Sequence, residues 1–245
     1  MPSPTRHKLS RVRLLRLLEE IKANSIEVAS LYVPPNSSKA AVERLMESLL
    51  DMETFPTDLA DSLSASPTGA VLFWGMQHRY LVLPPFPIRE VRLFDTCEIE
   101  PLTSLLHKEF SIALLLVRLR EYGIGLYKGQ QLVSSKVGTG LVHARHRQGG
   151  SSSHRYERHR EKQMETFFTR ICTHAREELE PHIRDLDYLI YGGTRETILD
   201  FRKQCHFLHE FDGRTLDVLL STREPKQSGL SEAIKEAWSS LVIQW

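Results

Sequence analysis

The chain has 245 residues, a formal net charge of +1 at pH 7 and 26% charged residues. This length is sufficient for a real hydrophobic core and suggests one or two domains. The near-neutral balance excludes a globally basic coat, so any nucleic-acid site has to be local.

The cysteines and the hydropathy of the chain indicate its cellular compartment. Cys97, Cys172 and Cys205 are widely spaced and form no C-x-x-C pair, so we expect buried thiols and neither a disulfide framework nor a cysteine zinc site. The N-terminus is basic without an apolar signal core, and no window of about 18 apolar residues occurs. We therefore expect a cytoplasmic protein without a membrane partner.

The first part of the chain predicts an α+β domain over residues 1–108. Apolar steps of three and four residues predict a helix over residues 7–23. A strand over 26–33 ends at Pro34-Pro35, and Ser37 or Ser38 caps a helix to about Leu50. Further along, we predict short helices near 57–64 and 100–109, and an antiparallel sheet with strands at 69–75, 79–85 and 90–94.

The second part, residues 109–245, predicts a three-layer α/β domain. Its first run, 110–119, is apolar throughout, as in a strand covered on both faces. A hairpin turning at Gly129-Gln130 follows, then a long helix from about Ser153 to Leu179. The remaining predicted elements are strands at 187–193 and 215–222 and a last helix at 230–243. This alternation indicates a mixed sheet with helices on both faces.

A basic tract joins the hairpin to the long helix. Residues 143–162 carry six Lys or Arg and two Glu, a local charge of +4, so the other 225 residues sum to −3. Such a placed positive charge favours nucleic-acid phosphate as the partner. The helix also carries an apolar stripe: Tyr156, Met164, Phe167, Phe168, Ile171, Ala175 and Leu179. For Tyr156 we favour packing in the core over stacking on a base.

Several segments together resemble a known family. In chain order they are SLYVPPNSSKAAV, GAVLFWG with RYLVLPPFPI, EPLTSLL, the hairpin, RQGGSSSHRYERHREK and LIYGGTRETIL. Nearly the whole chain resembles the first two domains of eukaryotic and archaeal class-I release factors. It is more similar to their bacterial release-factor-like relatives and to the peptidyl-tRNA hydrolases of ribosome quality control.

The resemblance implies a catalytic loop. The family carries a Gly-Gly-Gln tripeptide, followed by a helix of the type R-[FY]-x-R-x-R. Gly149 and Gly150 match the glycines, whereas Ser151 stands in the place of the glutamine and Gln148 precedes the pair. We expect a catalytic segment of Gln148, Gly149, Gly150 and Ser151, with Gln148 positioning the water. Whether Gln148 or Ser151 takes the catalytic place is open at this point.

The resemblance also implies RNA docking. The expected RNA-binding residues are Arg145, Arg147, Arg155, Arg158, Arg160 and Lys162. The expected partners are the large ribosomal subunit, its rRNA and peptidyl-tRNA. No NIKS sequence occurs, the stretch between Met46 and Thr68 is short, and no GTPase-recruiting third domain is recognised. We therefore expect neither stop-codon reading nor a translational GTPase partner.

These implications define two functional hypotheses. The first is a codon-independent peptidyl-tRNA hydrolase acting on stalled or obstructed ribosomes, with no cofactor. The second is a non-catalytic factor that occupies ribosomes through the same basic surface, and Ser151 favours it.

Other clusters carry weaker expectations. We expect no metal at the loop histidines His143, His146, His154 and His159, which lack acidic or cysteine partners at ligand spacing. We expect a loop or strand edge, not a metal site, at Cys205, His206 and His209. At Gly192-Gly193-Thr194 we expect a chain reversal rather than an anion site. The N-terminal helix is also basic, with Arg6, Lys8, Arg11, Arg13 and Arg16. Contact with RNA and simple exposure to solvent are equally good explanations of these charges.

Overall fold

The computed structural model describes residues 4–24, 28–47, 61–63, 65–75, 79–143, 153–221 and 224–245. Two compact units result: Met1–Lys108 with Trp238–Trp245, and Glu109–Ala237. The predicted second domain, 109–245, is therefore wrong at its end. The last eight residues belong to the first unit.

The first unit contains a six-stranded sheet in the order β1-β11-β4-β3-β2-β5. All neighbouring strands are antiparallel, as predicted for the strands of this region. The strands are β1 Thr5–Leu9, β2 Ala29–Val33, β3 Ala70–Trp74, β4 Arg79–Leu83, β5 Arg92–Phe94 and β11 Ser240–Gln244. The helices are α1 Arg11–Ala23, α2 Lys39–Glu47 and α3 Glu100–His107.

Alternation along β3 shows how this sheet is covered. Val71 and Phe73 pack in a cluster with α1 and α3 side chains, whereas Leu72 packs in a cluster with Val42 and Met46 of α2. Successive side chains of a strand point to opposite faces, so both faces of the sheet are buried. Ser38 caps α2 by accepting from the Ala41 N–H at 3.3 Å, as one of the two predicted caps.

Both ends of the chain differ from the sequence prediction. The predicted helix over 7–23 starts later, because Thr5–Leu9 forms β1 and pairs with β11. The predicted last helix over 230–243 ends at Ala237, and SLVIQ forms β11 between β1 and β4. Trp238, which is fully buried, stacks edge-on against Phe86 at 4.7 Å. The partners of these segments lie far away in the sequence, so local periodicity does not reveal them.

The second unit contains a five-stranded mixed sheet in the order β10-β9-β6-β7-β8. β9 is parallel to β6 and β10, while β7 is antiparallel to β6 and β8. The strands are β6 Ser111–Arg118, β7 Glu121–Lys128, β8 Gln131–Thr139, β9 Tyr188–Gly193 and β10 Thr215–Leu220. The helices are α4 Ser153–Leu179, α5 Arg195–Gln204 and α6 Gln227–Ala237, and 3-10 segments span Glu180–His182 and His206–Arg214.

Helices cover both faces of this sheet, so the predicted three-layer α/β arrangement is confirmed. Side chains of α4 and α5 form one core with β6 residues such as Leu115. On the other face, Gly123 and Gly125 of β7 leave room for Leu230 of α6, which would lie 3.4 and 3.1 Å from a Cβ at these positions. The α/β class follows from this layering.

One covalent feature contradicts the prediction of buried thiols. Cys172 of α4 and Cys205, at the end of α5, form a disulfide, and Cys97 does not take part in it. The two cysteines are 33 residues apart. Their proximity depends on how α4 and α5 pack against each other, which the spacing of cysteines does not encode.

Among the helices of the described residues, none is long and apolar enough to span a bilayer.

Candidate nucleic-acid interface

The predicted catalytic segment lies outside the described residues. This holds for Gln148, Gly149, Gly150 and Ser151, and also for two predicted RNA-binding residues, Arg145 and Arg147. The structure does describe the residues on both sides of the undescribed stretch 144–152, which contains this segment: those that follow β8, up to His143, and the start of α4. The geometry of the interface is therefore that of these two ends.

The end after β8 is tied to its surroundings by hydrogen bonds. The Gly140 N–H donates to the Arg120 carbonyl at 2.9 Å, and the Arg120 side chain donates to the Val142 carbonyl at 2.6 Å. The His143 N–H donates to Oε1 of Gln163 on α4 at 3.0 Å. Val142 itself is buried in the core of this unit.

Gly140 brings this end close to α4. A Cβ at Gly140 would lie 2.2 Å from Cδ2 of Phe167, far inside van der Waals contact. The chain therefore leaves β8 over the fourth and fifth turns of α4. Together with the hydrogen bond from His143, this contact holds the last described residues before the predicted catalytic segment against α4.

The start of α4 presents the remaining predicted RNA-binding residues. Arg155, Arg158 and Lys162 are exposed, and Arg160 is half-buried. Within the described ranges, no ion pair neutralises any of these four side chains. Cations without paired carboxylates are available to bind phosphate.

Charge is segregated around the helix. At about 100° per residue, Glu157, Glu161 and Glu165 lie on one face of α4. Arg155 and Lys162 lie close together, roughly 100–120° around the helix from the centre of that face. Arg158 borders Glu165, and Arg160 lies beyond Glu157 on the other side of the acidic face. The basic start of α4 thus has one face without acidic side chains, next to the residues that lead into the catalytic segment.

Tyr156 is not a core residue. Its side chain is 59% exposed, so the predicted packing in the core is wrong. The apolar stripe of α4 enters the core only from Phe167 onward, with Met164 partly buried at its margin. Tyr156 therefore belongs to the exposed, basic part of the helix.

Sequence reasoning missed further residues near the interface. Leu141, Gln163, Thr166 and Arg170 line a groove beside the same face of α4. The signal was present for three of them, because 163, 166 and 170 follow His159 at helical spacing. Leu141 carried no such signal, since its position depends on the path of the chain after β8.

The other predicted clusters lie elsewhere or lack a ligand set. The rings of His143 and His159 lie 6.1 Å apart, centroid to centroid, whereas His146 is outside the described residues, as is the side chain of His154. Across the residues that the structure describes, no three His, Cys, Asp or Glu side chains are grouped to hold a metal ion.

The Cys205 cluster has a structural role. Cys205 is in the disulfide, and His206 and His209 lie in a 3-10 segment rather than in a loop or at a strand edge. The hydrogen bond from His209 holds the pKa of Asp212 below its usual value, with Arg202 contributing as well. At the Gly192-Gly193-Thr194 turn, Gly193 has a φ of 136° and Thr194 caps α5.

A three-layer α/β unit with a basic helix after a Gly-Gly segment defines a release-factor-like protein, in agreement with the comparison of the sequence with protein families. The model of the Actinobacteria/Chloroflexi VLRF1 release factor family matches residues 111–243, more than half of the chain. The chain belongs to this family. The predicted resemblance to the class-I release-factor superfamily is thereby confirmed.

Individual relatives agree with this assignment. The chain is 26% identical over 252 residues to peptide chain release factor subunit 1 of Archaeoglobus fulgidus, covering 92% of this chain and 62% of the relative. It is 25% identical over 257 residues to the subunit of the same name from Picrophilus torridus, covering 94% and 62%. The chain thus spans 62% of the length of these relatives.

Two solved structures are similar. An archaeal translation termination factor, aRF1, aligns with a TM-score of 0.44 at 23% identity, covering 94% of this chain and 70% of the other. Saccharomyces cerevisiae Dom34, described as a translation termination-like factor, aligns with a TM-score of 0.33 at 9% identity, covering 94% and 62%.

Proposed function

We propose that this chain is a codon-independent peptidyl-tRNA hydrolase that acts on stalled or obstructed ribosomes. The observation that carries the proposal is the acid-free basic face of α4. In a chain of a release factor family, this face directly follows the segment Gln148 to Ser151. The partners under this proposal are the large ribosomal subunit, its rRNA and peptidyl-tRNA.

The chemistry needed is modest. Release of a nascent chain is hydrolysis of the ester between peptide and tRNA, and the ribosome already binds that ester. The factor has to bring a water molecule to the ester and orient it, which is a positioning contribution rather than strong acid–base catalysis. This role requires polar groups at the tip of a segment that enters an RNA-lined site.

The residues of the segment suit this role. The carboxamide of Gln148 has both an acceptor oxygen and donor N–H groups, so it is able to bind the water and an RNA group at once. Gly149 and Gly150 permit backbone conformations and close approaches that side chains prevent. Backbone N–H groups at the tip would stabilise the oxyanion of the transition state.

The described structure supports this mechanism at the base of the segment. The hydrogen bond from His143 to Gln163 and the contact of Gly140 with Phe167 anchor one end. The other end continues into α4, whose 27 residues correspond to a helix of about 40 Å.

The test is ester cleavage of labelled peptidyl-tRNA bound to large subunits. Wild type is expected to release the peptide, and Gln148→Ala is expected to lose about 100-fold or more in rate while binding is retained, as for loss of one transition-state contact. Ser151→Ala is the matched control and is expected to change the rate less than Gln148→Ala. If wild type leaves the ester intact where a chemical release agent cleaves it, the proposal is wrong.

The second candidate is a non-catalytic factor that occupies ribosomes. The presence of Ser151 in the place of the family glutamine favours it. Under this hypothesis wild type binds ribosomes with the same basic surface but releases no peptide. The same assay, combined with a measurement of subunit binding, separates the two candidates.

A further inference from the structure

A groove of about 350 Å³ lies beside α4 in the second unit. One wall is the chain that follows β8, and the other is the face of α4 that bears Lys162. The lining residues are Gly140, Leu141, His159, Lys162, Gln163, Thr166, Phe167 and Arg170. The volume lies at the lower end of the range for small-molecule sites, about 300–1,000 Å³, so the groove suits a ligand of one nucleotide or smaller.

The floor of the groove is apolar. Phe167 lies beneath Gly140 and is only 3% exposed, so it supports the floor of the groove from below. Leu141 is 74% exposed, although it is a large apolar residue in a unit that buries most of its leucines. The His159 ring forms part of the same lining. Flat or apolar surfaces of this kind are where unstacked bases bind.

The rim is cationic and rich in donors. Lys162 and Arg170 are the formal cations of the lining, which contains no carboxylate. One N–H of Arg170 donates to the Thr139 carbonyl at 3.0 Å, and a guanidinium has five N–H donors in all. Gln163 uses its Oε1 to accept from His143, so its amide N–H groups remain to donate. The rim therefore complements an anion with several acceptor oxygens.

We propose that this groove binds one unstacked nucleotide of single-stranded RNA. The base lies against Leu141 and His159, and its phosphate is held by Lys162 and Arg170. An apolar floor with a cationic rim matches a nucleotide, whose base is flat and whose phosphate is anionic. The inference rests on the proposed function in that both require RNA binding, and it adds a base-binding site to the phosphate contacts of the basic tract.

The groove gives two separable predictions for RNA binding, because its floor and its rim act differently. Loss of a phosphate contact lowers the salt dependence of binding, by about 0.7 in the slope of log K against log salt for single strands. Loss of an apolar contact with a base lowers affinity without changing that slope. Variants of the rim and of the floor are therefore distinguishable in one experiment.

The experiment measures binding of a uridine heptanucleotide to the full chain across salt concentrations. Arg170→Gln is expected to lower the slope by about 0.7, and Arg170→Lys is expected to keep it. Leu141→Ser is expected to lower affinity about threefold or more, with the slope unchanged. The controls are Arg184→Gln, an exposed arginine beyond the far end of α4, and Leu199→Ser, a leucine on α5 that is 46% exposed. Both controls are expected to bind as wild type does.

A second measurement locates the nucleotide. In an NMR titration with adenosine 5′-monophosphate, amide signals of Gly140, Leu141 and Thr166 are expected to shift more than in a titration with inorganic phosphate. Equal shifts with both ligands, or no shifts, overturn the inference. It is also overturned if Arg170→Gln and Leu141→Ser bind the heptanucleotide as their controls do.

The experiments distinguish a wrong nucleotide-binding inference from a wrong hydrolase proposal. Neither measurement involves ribosomes or ester cleavage. If peptide release occurs but the groove variants bind RNA normally, only the nucleotide site is wrong. If the groove variants behave as expected but wild type releases no peptide, only the hydrolase is wrong.

Discussion

The two ends of α4 differ in their surroundings although they belong to one continuous helix. From Phe167 to Leu179 its apolar side chains are buried against the sheet and α5. From Arg155 to Lys162 the helix is mostly exposed, and Tyr156 is on the surface. The comparison shows that an apolar stripe has an end, set by where the neighbouring elements end. Beyond that point, the side chains of the same helix are exposed to solvent.

The largest expected effect on stability concerns the buried end of α4. Ile171→Ala removes a fully buried side chain and is expected to lower the free energy of unfolding by about 2–5 kcal/mol. Tyr156→Ala, on the same stripe, is the control and is expected to change it by about 0.5 kcal/mol or less. Urea denaturation of both variants measures this. Similar losses for the two would mean that Tyr156 packs in the core.

The next effect concerns the disulfide that ties the buried end of α4 to α5. A loop of 33 residues gives an entropic stabilisation of about 3–4 kcal/mol in the chain-entropy model. Reducing agent is therefore expected to lower the stability of wild type by up to about that amount. The Cys172→Ser, Cys205→Ala double variant is expected to show no response to reductant. An equal response in both proteins would contradict the bond.

The smallest expected effect on stability concerns the exposed start of α4. Arg155→Gln combined with Arg158→Gln is expected to leave the free energy of unfolding within about 0.5 kcal/mol of wild type. Its salt slope for single-stranded RNA is expected to fall by about 1.4, or about 0.7 for each lost contact. Binding titrations at several salt concentrations check this. An unchanged slope would show that these two arginines do not contact phosphate.

Local sequence patterns predicted much of the second unit. The bounds of α4, Ser153–Leu179, and the turn at Gly129-Gln130 between β7 and β8 are confirmed. Both depend on interactions within a short stretch: helical periodicity in one case and turn residues between two strands in the other. The strand β6 was also predicted, because its continuous apolar run is typical of a strand that is covered on both faces.

The candidate site was only partly predictable, because local patterns identify residues within one element but not residues that other segments bring next to them. Arg155, Arg158 and Lys162 were predicted to bind RNA from their pattern, and the structure places all three on the surface. Arg170 and Leu141 join the same surface only because the chain after β8 passes over α4. No spacing rule connects Leu141 with Arg170, since one lies in a connecting segment and the other in a helix.

The sequence by itself determined most of the elements away from the chain ends, the α/β class and the position of the positive charge, because each depends on neighbouring residues. Only the tertiary structure decided that the last strand returns to the first unit, where Thr5 bonds the Gln244 carbonyl across 239 positions. It also decided that Cys172 meets Cys205 and that Tyr156 stays exposed. These outcomes depend on which distant segments pack together, and local periodicity carries no information about distant partners.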